Sequence, residues 1–300
     1  MTNNKPQLSI IIVSWNVKEL LRKCLYSIQT HLNTFPHEVV VVDNASTDGS
    51  AEMVVHEFPQ IDLIRNKENI GFGRANNLGL AKAQGTYVLF LNDDTEFKDA
   101  RITQAMEYIQ QHPHTGLVGV HLINPDGSNQ PSVRHFPKVG DQLFYLLKLH
   151  VVFPQAKALQ RYLAQDFDYT KTASVDQVMG AAMLASTRLM KELGGFDPKY
   201  PNWFEEVDLC RRVQHKGLEV RYLPVTDILH VKGASFAQHR PLKLQLVFNY
   251  SMRKYFATWE PWWASSLISL AQPISLLAAL VVQIAERLGL NLKGMKAKHV

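Results

Sequence analysis

An apolar run that ends abruptly in acidic residues is the feature that most constrains the fold. Residues 86–91 read Thr-Tyr-Val-Leu-Phe-Leu, and Asn92, Asp93 and Asp94 follow at once. A short, continuous apolar run of this kind is typical of a strand that is covered on both faces. A buried strand that delivers carboxylates to the edge of a sheet indicates a site for a hard metal ion.

Two earlier strands are predicted to end in the same way, over residues 8–13 and 39–42. The residues that follow them directly are Ser14, Trp15 and Asn16 after the first, and Asp43 and Asn44 after the second. In parallel α/β sheets, ligands bind beyond the carboxyl ends of the strands, where such side chains converge. The three strand ends therefore predict one shared pocket.

Helical patterns lie between these strands. Apolar residues recur every three or four positions over residues 17–32, and helix signals follow over 49–58 and 71–84. The alternation predicts an α/β fold with a doubly wound, mainly parallel central sheet flanked by helices. Beyond it, the sequence predicts helices over 99–111 and 203–214 and strands over 116–121, 175–186 and 218–223, but no firm period over 128–174.

Composition excludes several classes of protein. The 300 residues are 46% hydrophobic, which is enough for a full core, and 32 basic against 27 acidic residues leave a net charge of only +5. That charge is too small and too scattered to favour a nucleic-acid groove, so no nucleic-acid partner is expected. Cys24 and Cys210 are the only cysteines, which argues against a disulfide scaffold and fits a reducing cytoplasm.

The C-terminal part of the chain is expected to meet a membrane. Residues 261–285 contain no charged side chain, and Arg287, Lys293, Lys296 and Lys298 follow them. Serine, glutamine and proline residues dilute the apolar run, so a helix lying on the membrane is as compatible as one that crosses it. A buried helix of a soluble protein is the alternative. The expected location is cytoplasmic, peripheral on or anchored to the inner face of the cell membrane.

The order of these motifs resembles family 2 of the inverting, nucleotide-sugar-dependent glycosyltransferases, which have the GT-A fold. Within that family the chain most resembles the rhamnosyltransferase-like members that act on lipid-linked glycans. The resemblance implies a GT-A domain over 1–238, with a nucleotide-sugar-binding half over 1–121 and an acceptor-binding half over 122–238, and a C-terminal helical region over 239–300. Eight segments carry it, at residues 9–16, 40–49, 69–80, 89–95, 180–185, 194–197, 203–211 and 230–236.

The resemblance also implies which residues bind the donor. Turn chemistry remains the alternative for Asp43 and Asn44, and a surface cation for Arg74. Residues 71–73 read Gly-Phe-Gly, but this stretch lacks the third glycine of a dinucleotide fingerprint. It also follows the third predicted strand, near residues 61–65, and not the first, so it does not indicate NAD. The implied nucleotide-sugar-binding residues are Ser14, Trp15, Asn16, Asp43, Asn44, Gly73, Arg74, Asn77, Asn92 and Asp93.

The metal site is implied in the same way. Residues 92–94 stand where the family has a motif of two acids separated by one residue, and here Asn92 replaces the first acid. Asp94 is therefore the expected ligand of Mg²⁺ or Mn²⁺, and His230 matches a family histidine that ligates the metal or the diphosphate. For His230, the alternative is a hydrogen-bonded core histidine.

Glu206 is the expected catalytic base, which takes the proton of the acceptor hydroxyl. The family usually has aspartate at this position, so Glu205 is the backup assignment. For Asp208, a structural pair with Arg211 or Arg212 is expected, because residues three and four apart are neighbours on a helix. The residues expected on the acceptor side are Gly180, Ala181 and Trp203.

The implied function is transfer of a sugar from a nucleotide-diphosphate donor to a hydroxyl of a glycan or lipid-linked glycan in cell-surface polysaccharide synthesis, with deoxythymidine-diphosphate-rhamnose as the preferred donor. Two alternatives stay open. A sugar-nucleotide nucleotidyltransferase would have a glycine-rich phosphate loop after its first strand, where this chain has residues 14–16. A membrane-associated scaffold of the same fold without turnover would account for Asn92 and for the Glu205-Glu206 pair.

Overall fold

A computed structural model of the protein describes residues 5–233 and 240–287. Residues 234–236, which end the last motif of the resemblance, and Lys293, Lys296 and Lys298 lie outside the described residues. The chain divides into two compact units, the first comprising residues 5–133, 168–199 and 205–233 and the second 134–167, 200–204 and 240–287. These units alternate along the chain, so the sequential division into 1–121, 122–238 and 239–300 stays a prediction.

The strands of the described residues are β1 (Leu8–Ser14), β2 (His37–Asp43), β3 (Asp62–Arg65), β4 (Tyr87–Asn92), β5 (Thr95–Phe97), β6 (Thr115–Ile123), β7 (Val133–Arg134), β8 (Ala173–Ser174), β9 (Gln177–Val178), β10 (Ala182–Ser186) and β11 (Glu219–His230). The helices are α1 (Lys18–Leu32), α2 (Ser50–Glu57), α3 (Phe72–Lys82), α4 (Ile102–Gln111), α5 (Val139–Leu146), α6 (Leu149–Val152), α7 (Lys157–Tyr162), α8 (Thr187–Glu192), α9 (Glu205–His215), α10 (Pro241–Trp259) and α11 (Trp262–Arg287).

The central sheet of the first unit has the strand order β3-β2-β1-β4-β10-β6-β11-β5. Strand β8 pairs with Arg221 and Tyr222 of β11. The first four strands in this order are mutually parallel, and β11 is parallel to β6. Strand β10 is antiparallel to both of its neighbours, β4 and β6. The predicted α/β fold with a mainly parallel sheet flanked by helices is confirmed.

Strand β1 shows why the sequence folds in this way. Ile10 and Ile12 pack with the apolar face of α1, which includes Leu25. Ile11 points to the opposite face, where α3 comes so close that a methyl group on Gly79 would overlap it. A strand covered by helices on both faces must be apolar throughout, and this explains the unbroken run.

Where the sequence analysis was wrong, short or interrupted elements were the cause. The strand predicted at 218–223 is β11, which continues to His230 and changes register between Leu223 and Asp227. Pro224 lies in that irregularity, and a proline inside a strand pattern normally argues for an end. Strand β5 has three residues, too few to show a period. The short helices of residues 134–167 were also missed, whereas α10 and α11 lie within the predicted C-terminal helical region.

The second unit contains α10 and α11, which are joined by buried polar contacts. Asn249 donates to the Ser275 hydroxyl at 2.9 Å and accepts from Gln245 at 2.8 Å, and Gln272 donates to the Asn249 carbonyl at 2.8 Å. Residues 262–284 of α11 form a 23-residue stretch that is long and apolar enough to cross a membrane, with a mean hydropathy of 2.0. Composition and length alone do not distinguish such a span from a helix that lies on a membrane.

The two glycines after α8 have left-handed backbones, with φ of +74° at Gly194 and +68° at Gly195. They differ in their surroundings. A methyl group on Gly194 would meet nothing within 4 Å, whereas one on Gly195 would overlap the side-chain oxygen of Asn77. That amide holds Phe196 by accepting from its N–H at 2.8 Å and donating to its carbonyl at 2.7 Å. The absence of a side chain at Gly195 therefore leaves room for Asn77 of α3 to form both hydrogen bonds with Phe196.

We expect Gly195→Ala to destabilise the protein more than Gly194→Ala. Both substitutions impose a left-handed strain of about 1–2 kcal/mol. Only Gly195→Ala also displaces Asn77 from Phe196, which adds about 1–3 kcal/mol for the lost buried hydrogen bonds. Urea unfolding of the two variants measures the difference. Equal losses would show that the Asn77 contact contributes nothing.

Candidate functional site

The carboxyl ends of β1, β2 and β4 lie side by side. Ser14 pairs with Asp43 of β2, and Val13 pairs with Asn92 of β4. Because neighbouring strands are about 4.8 Å apart, the ends of β2 and β4 are separated by roughly 10 Å, with the end of β1 between them. The structure thus brings the three strand ends to one edge, as the sequence predicts.

Asp43 presents an unused acceptor at this edge. Its carboxylate is only 4% exposed, and one oxygen accepts a hydrogen bond from the Ser46 N–H at 3.1 Å. The other oxygen is buried and has no hydrogen-bond partner within residues 5–233 and 240–287. Since buried polar atoms are normally hydrogen-bonded, this atom suits a donor group of a bound ligand.

Asn44 and Asn16 are engaged within the protein. The side-chain oxygen of Asn44 accepts from the Asn66 amide at 2.9 Å, and the side-chain oxygen of Asn16 accepts from the Thr47 N–H at 2.7 Å. Both residues therefore hold the loops beyond β1 and β2 in place. Trp15, directly before Asn16, is half-buried. Direct binding of a nucleotide by Asn16 or Asn44 stays a prediction.

Asp93 connects the end of β4 to the end of β1. The Ser14 hydroxyl and the Trp15 N–H face its carboxyl group, and both favour the ionised form. Burial has the larger, opposite effect and raises the pKa of Asp93 well above its usual value, and the neighbouring charge of Asp94 raises it further. Asp93 therefore lies beside the end of β1.

Asp94 and His230 meet through the pairing of β5 with β11. Thr95 is the register partner of His230, and the Val231 N–H donates to the Asp94 carbonyl at 2.9 Å. The two side chains are both buried, and His230 Nε2 lies 3.2 Å from Asp94 Oδ1. Residues that are far apart in the sequence are thus held as one polar pair.

Gln130 fixes the orientation and the tautomer of His230. Its side-chain nitrogen donates to the His230 carbonyl at 3.1 Å and to the Asn124 side-chain oxygen at 2.8 Å, and both of these atoms can only accept. The Gln130 oxygen must then face His230 Nδ1, which lies 2.6 Å away and carries the proton. In the neutral ring, Nε2 is therefore the unprotonated nitrogen.

This arrangement fits a divalent cation. His230 Nε2 lies 3.2 Å from Asp94 Oδ1 and 3.4 Å from the Asn92 side-chain nitrogen, and a positive charge at this nitrogen, either a ring proton or a bound metal ion, stabilises the carboxylate beside it. Neighbouring ligand atoms of an octahedral Mg²⁺ ion lie about 3.0 Å apart, given bonds of about 2.1 Å. Asp94 Oδ1 also has no hydrogen-bond partner in the described part of the chain.

The protein supplies only part of a metal ligand set. Among residues 5–233 and 240–287, no group of three or more histidine, cysteine, aspartate or glutamate side chains is arranged to hold a metal ion. Mg²⁺ is usually bound through one or two carboxylates together with substrate phosphates and water. An incomplete protein set therefore suits an ion that arrives with a diphosphate.

Residues 180–181 connect this pair to the acidic helix α9. The Ala181 carbonyl accepts from the Asn92 N–H at 2.9 Å, next to the candidate metal ligands. On the other side, a methyl group on Gly180 would lie 3.6 Å from Glu206 Cβ. The small residues Gly180 and Ala181 thus lie beside both Glu206 and Asn92.

The two glutamates of α9 differ in environment. Glu205 is 4% exposed, and its Oε2 has no hydrogen-bond partner among the residues that the structure describes. Burial, and then the charge of Glu206, raise the pKa of Glu205 well above its usual value. Glu206 is half-buried and is the accessible carboxylate of the pair. Asp208 pairs with Arg212 at 2.7 Å, which confirms its predicted structural role.

Gly73, Arg74 and Asn77 support the chain beyond α8. A methyl group on Gly73 would lie 3.0 Å from Phe196 Cβ, and Arg74 donates to the Pro198 carbonyl at 2.8 Å. Asn77 grips Phe196, as described above. These contacts favour the interpretation that the segment holds a loop, and a role of the three residues in donor binding stays a prediction.

Trp203 belongs to the second unit. Its ring meets Phe248 edge to face at a centroid distance of 5.8 Å. Trp203 and Phe204 have φ of +62° and +66°, and two consecutive left-handed residues without glycine are strained. The strain stands directly before α9 and its glutamates. Binding of an acceptor by Trp203 stays a prediction.

The sequence analysis missed Gln130. The residue lies at the start of the stretch that showed no period, and an isolated glutamine carries no motif. Its only sequence signal is its position just after a predicted turn and a predicted strand. Its role becomes visible only from its contacts and from its 2% exposure.

A sequence profile described as glycosyl transferase family 2 matches residues 9–167. This match covers more than half of the 300-residue chain. The chain belongs to glycosyl transferase family 2. The matched region includes the ends of β1, β2 and β4 and also Gln130.

Curated family 2 relatives are similar over most of the chain. An N-acetylglucosaminyl-diphospho-decaprenol L-rhamnosyltransferase of Mycobacterium tuberculosis is 25% identical over 239 residues, which is 76% of this chain and 77% of that protein. The rhamnosyltransferase WbbL of Escherichia coli is 24% identical over 257 residues, which is 82% of this chain and 92% of that protein. The resemblance to rhamnosyltransferase-like members is thereby confirmed.

A solved structure shares the fold. The mannosyltransferase PcManGT of Pyrobaculum calidifontis, in complex with GDP-Man and Mn²⁺, superposes with a TM-score of 0.56 and 18% identity. The likeness covers 97% of this chain and 77% of that chain. The GT-A-like fold expected for a family 2 member is confirmed.

We expect Gln130→Met to release the His230 tautomer. Methionine has a similar length but cannot accept from Nδ1–H, whereas Gln130→Glu keeps an acceptor at that position and serves as the control. ¹⁵N NMR of the histidine ring in metal-free protein should show the Nδ1–H form in the wild type and in Gln130→Glu, and a mixture in Gln130→Met. An unchanged spectrum in Gln130→Met would contradict the assignment.

We expect Glu205→Gln to stabilise the protein, and we expect this gain in stability to increase with pH. A raised folded-state pKa gives stability that is present below the unfolded value of about 4.3 and is lost as the pH rises through the folded value. Glutamine removes that loss, so the gain in Tm should grow with pH, by about 2–4 °C for each kcal/mol. Glu107→Gln, on the exposed face of α4, is the control. A pH-independent difference would contradict the burial argument.

Proposed function

We propose that this family 2 protein is an inverting glycosyltransferase that moves a sugar from a nucleotide-diphosphate donor to a hydroxyl of a glycan or lipid-linked glycan in cell-surface polysaccharide synthesis. The observation that carries the proposal is that residues 180–181 lie next to both parts of the site: the Ala181 carbonyl accepts from the N–H of Asn92, close in the chain to Asp94, which pairs with His230, and Gly180 lies beside Glu206. A donor diphosphate and an acceptor hydroxyl require opposite faces of the transferred sugar.

The sheet edge has dimensions that suit the donor. The Asp43 oxygen without a partner offers an acceptor for a base N–H or a ribose hydroxyl. Roughly 10 Å further along the edge, at the end of β4, Asp94 lies where the diphosphate would follow. Trp15 is half-buried between these positions and supplies an aromatic face. We propose that Asp43 and Trp15 bind the nucleoside.

Asp94 and His230 are the residues that would hold Mg²⁺ or Mn²⁺. When bound, such an ion supplies positive charge that stabilises the departing nucleotide diphosphate. The orientation of His230 does not depend on an ion, because Gln130 holds both its ring and its carbonyl. The protein thus keeps Nε2 of His230 directed at Asp94 through contacts of its own.

Glu206 is the proposed base. Its carboxylate takes the proton of the acceptor hydroxyl as the oxygen forms a bond to the anomeric carbon and the bond to the diphosphate breaks. One displacement from the opposite face inverts the anomeric configuration, so no covalent intermediate is required. Burial, and then the charge of Glu206, raise the pKa of Glu205, which disfavours a second negative charge beside the base.

The donor and the location are proposed from the relatives. Both curated relatives described above are named rhamnosyltransferases, and the mycobacterial one is named for a lipid-linked acceptor. We therefore propose deoxythymidine-diphosphate-rhamnose as the donor, a lipid-linked glycan as the acceptor, and the cytosolic face of the cell membrane as the place of reaction. Helix α11 supports that location.

The two alternatives have less support. Residues 14–16 replace the glycine-rich phosphate loop expected of a nucleotidyltransferase. A scaffold without turnover would have no need for the buried pair of Asp94 and His230, which persists although Asn92 replaces an acid. Side chains that could carry catalysis are therefore present at each position that the proposed reaction requires.

A panel of nucleotide sugars, assayed for nucleotide release with Mg²⁺ or Mn²⁺, tests the class and the donor together. We expect Glu206→Gln to lower kcat by about 10²–10⁴-fold with little change in donor affinity, which is the range for a general base. Glu107→Gln, on the exposed face of α4, is the matched control. Wild-type turnover in Glu206→Gln would place the base elsewhere.

We expect Asp94→Ala to lose Mn²⁺ binding in the presence of nucleoside diphosphate, because the carboxylate of the proposed ligand pair is gone. Electron paramagnetic resonance of free Mn²⁺ measures this without turnover. The exposed residue Asp62 provides a control through Asp62→Asn. Unaltered Mn²⁺ binding in Asp94→Ala would contradict the metal assignment, and the absence of turnover with every sugar nucleotide in the panel would favour the scaffold alternative.

A further inference from the structure

Helix α11 has two apolar faces, and only one is covered. The covered face packs in the second unit against α10 and α5. The opposite face is exposed and apolar along its whole described length, with Leu270 76% exposed. We call its residues the α11 stripe: Trp263, Leu267, Leu270, Ile274, Leu277, Val281 and Ile284.

The α11 stripe is too long and too regular to be scattered surface residues. Its members recur every three or four positions from Trp263 to Ile284, and they extend over about 32 Å of helix. Contiguous exposed apolar surfaces of this size mark interaction sites for proteins or membranes. Tryptophan at the start of the stripe suits the boundary between water and lipid.

A basic groove opens beside the α11 stripe. It has a volume of about 680 Å³ and shares Leu270 with the stripe. Arg253 and Lys254 supply two positive charges, and the Arg253 guanidinium lies 6.0 Å from the centre of the Tyr250 ring. The groove residues are Tyr250, Arg253, Lys254, Ala257, Ser265, Ser266, Ser269 and Leu270.

The position of this groove argues against a helix that crosses the membrane. Arg253 and Lys254 lie opposite residues 265–270, inside the apolar stretch of α11 rather than beyond its end. If α11 crossed the bilayer together with α10, these two cations would enter its hydrocarbon core, which is costly. The hydrogen bonds of Asn249 to Gln272 and Ser275 oppose separation of the two helices.

A helix lying on the bilayer satisfies both features at once. The α11 stripe then reaches the acyl boundary, while the adjacent cations stay at the depth of the lipid phosphates. Anionic phospholipid is the complementary partner, because the groove offers positive charge and hydroxyl groups beside an apolar edge. A protein partner would need a matching acidic and apolar surface, and nothing else in the structure indicates one.

We propose that α11 lies along the surface of a bilayer and that the basic groove binds the phosphate headgroup of an anionic phospholipid. This inference rests on the membrane location proposed above and not on glycosyl transfer. Lipid binding brings the second unit to the membrane on a defined face.

The depth of the helix tests the first part. Both native cysteines are buried, so single cysteines introduced by Leu267→Cys, Ile274→Cys and Val281→Cys accept a spin label selectively. These positions are seven residues, or about 10 Å, apart along the axis. On vesicles, a helix that lies on the bilayer gives one depth for all three labels. A depth that changes by several ångströms from each label to the next would overturn the proposal in favour of a span.

Vesicle binding of the full chain tests the headgroup site. Vesicles of phosphatidylcholine with and without phosphatidylglycerol are compared, using the double variant Arg253→Gln/Lys254→Gln and the charge-matched control Lys23→Gln/Lys82→Gln. We expect the first variant to weaken binding to the anionic vesicles roughly 25-fold, or about fivefold per cation, and the control to retain it. Equal weakening of vesicle binding in both variants would show that the positive charges attract anionic vesicles regardless of their position. That result would overturn the proposed headgroup site in the groove.

Nucleotide release in the absence of vesicles separates the two proposals. The groove variant should release nucleotide at the wild-type rate with a soluble acceptor while it loses anionic vesicles. A protein that binds vesicles as proposed but turns over no sugar nucleotide would refute only the proposed function. A protein that turns over sugar nucleotides but shows no preference for anionic vesicles would refute only this inference.

Discussion

Three residue pairs between β5 and β11 hold the candidate metal site together. They place His230 opposite Thr95, and the next N–H in the chain, that of Val231, donates to the Asp94 carbonyl. The pairing of β5 with β11 closes a long loop made of the residues between them, and the entropic cost of that closure must be offset by apolar contacts. Phe97 and Ile228 supply such contacts in the main core. The positions of Asp94 and His230 at the sheet edge therefore depend on the packing of Phe97 and Ile228, which lie further from that edge.

The site also depends on buried polar groups that never need to touch a substrate. Gln130 sets the tautomer of His230, and Asp93 joins the ends of β4 and β1. Each of these groups is satisfied within the protein, which gives the side chains at the edge fixed positions before a ligand binds. Asp43 and Asp94 each keep one buried oxygen without a hydrogen-bond partner in the described part of the chain, as Glu205 does.

The sequence was sufficient for the first half of the sheet and for the acids at its edge. Apolar runs between amphipathic helices determine β1 to β4, and the Asn92-Asp93-Asp94 motif pointed to Asp94. It was insufficient where position depends on distant pairing. Three-residue β5 has no period, and Pro224 disguised the continuation of β11. Asn77 illustrates the same limit. The sequence alone does not distinguish an asparagine that lines a donor site from one that holds the backbone of Phe196.

The place of β10 in the sheet has a consequence for synthesis of the chain. This strand lies between β4 and β6, although it follows both in the sequence. While the protein emerges from the ribosome, β4 and β6 each present an open, apolar edge until residues 182–186 become available. Open strand edges are where nascent chains associate wrongly. The connection of β4 to β6 therefore waits for a five-residue segment, and the growing polypeptide is vulnerable to aggregation until that segment, and then β11, arrive.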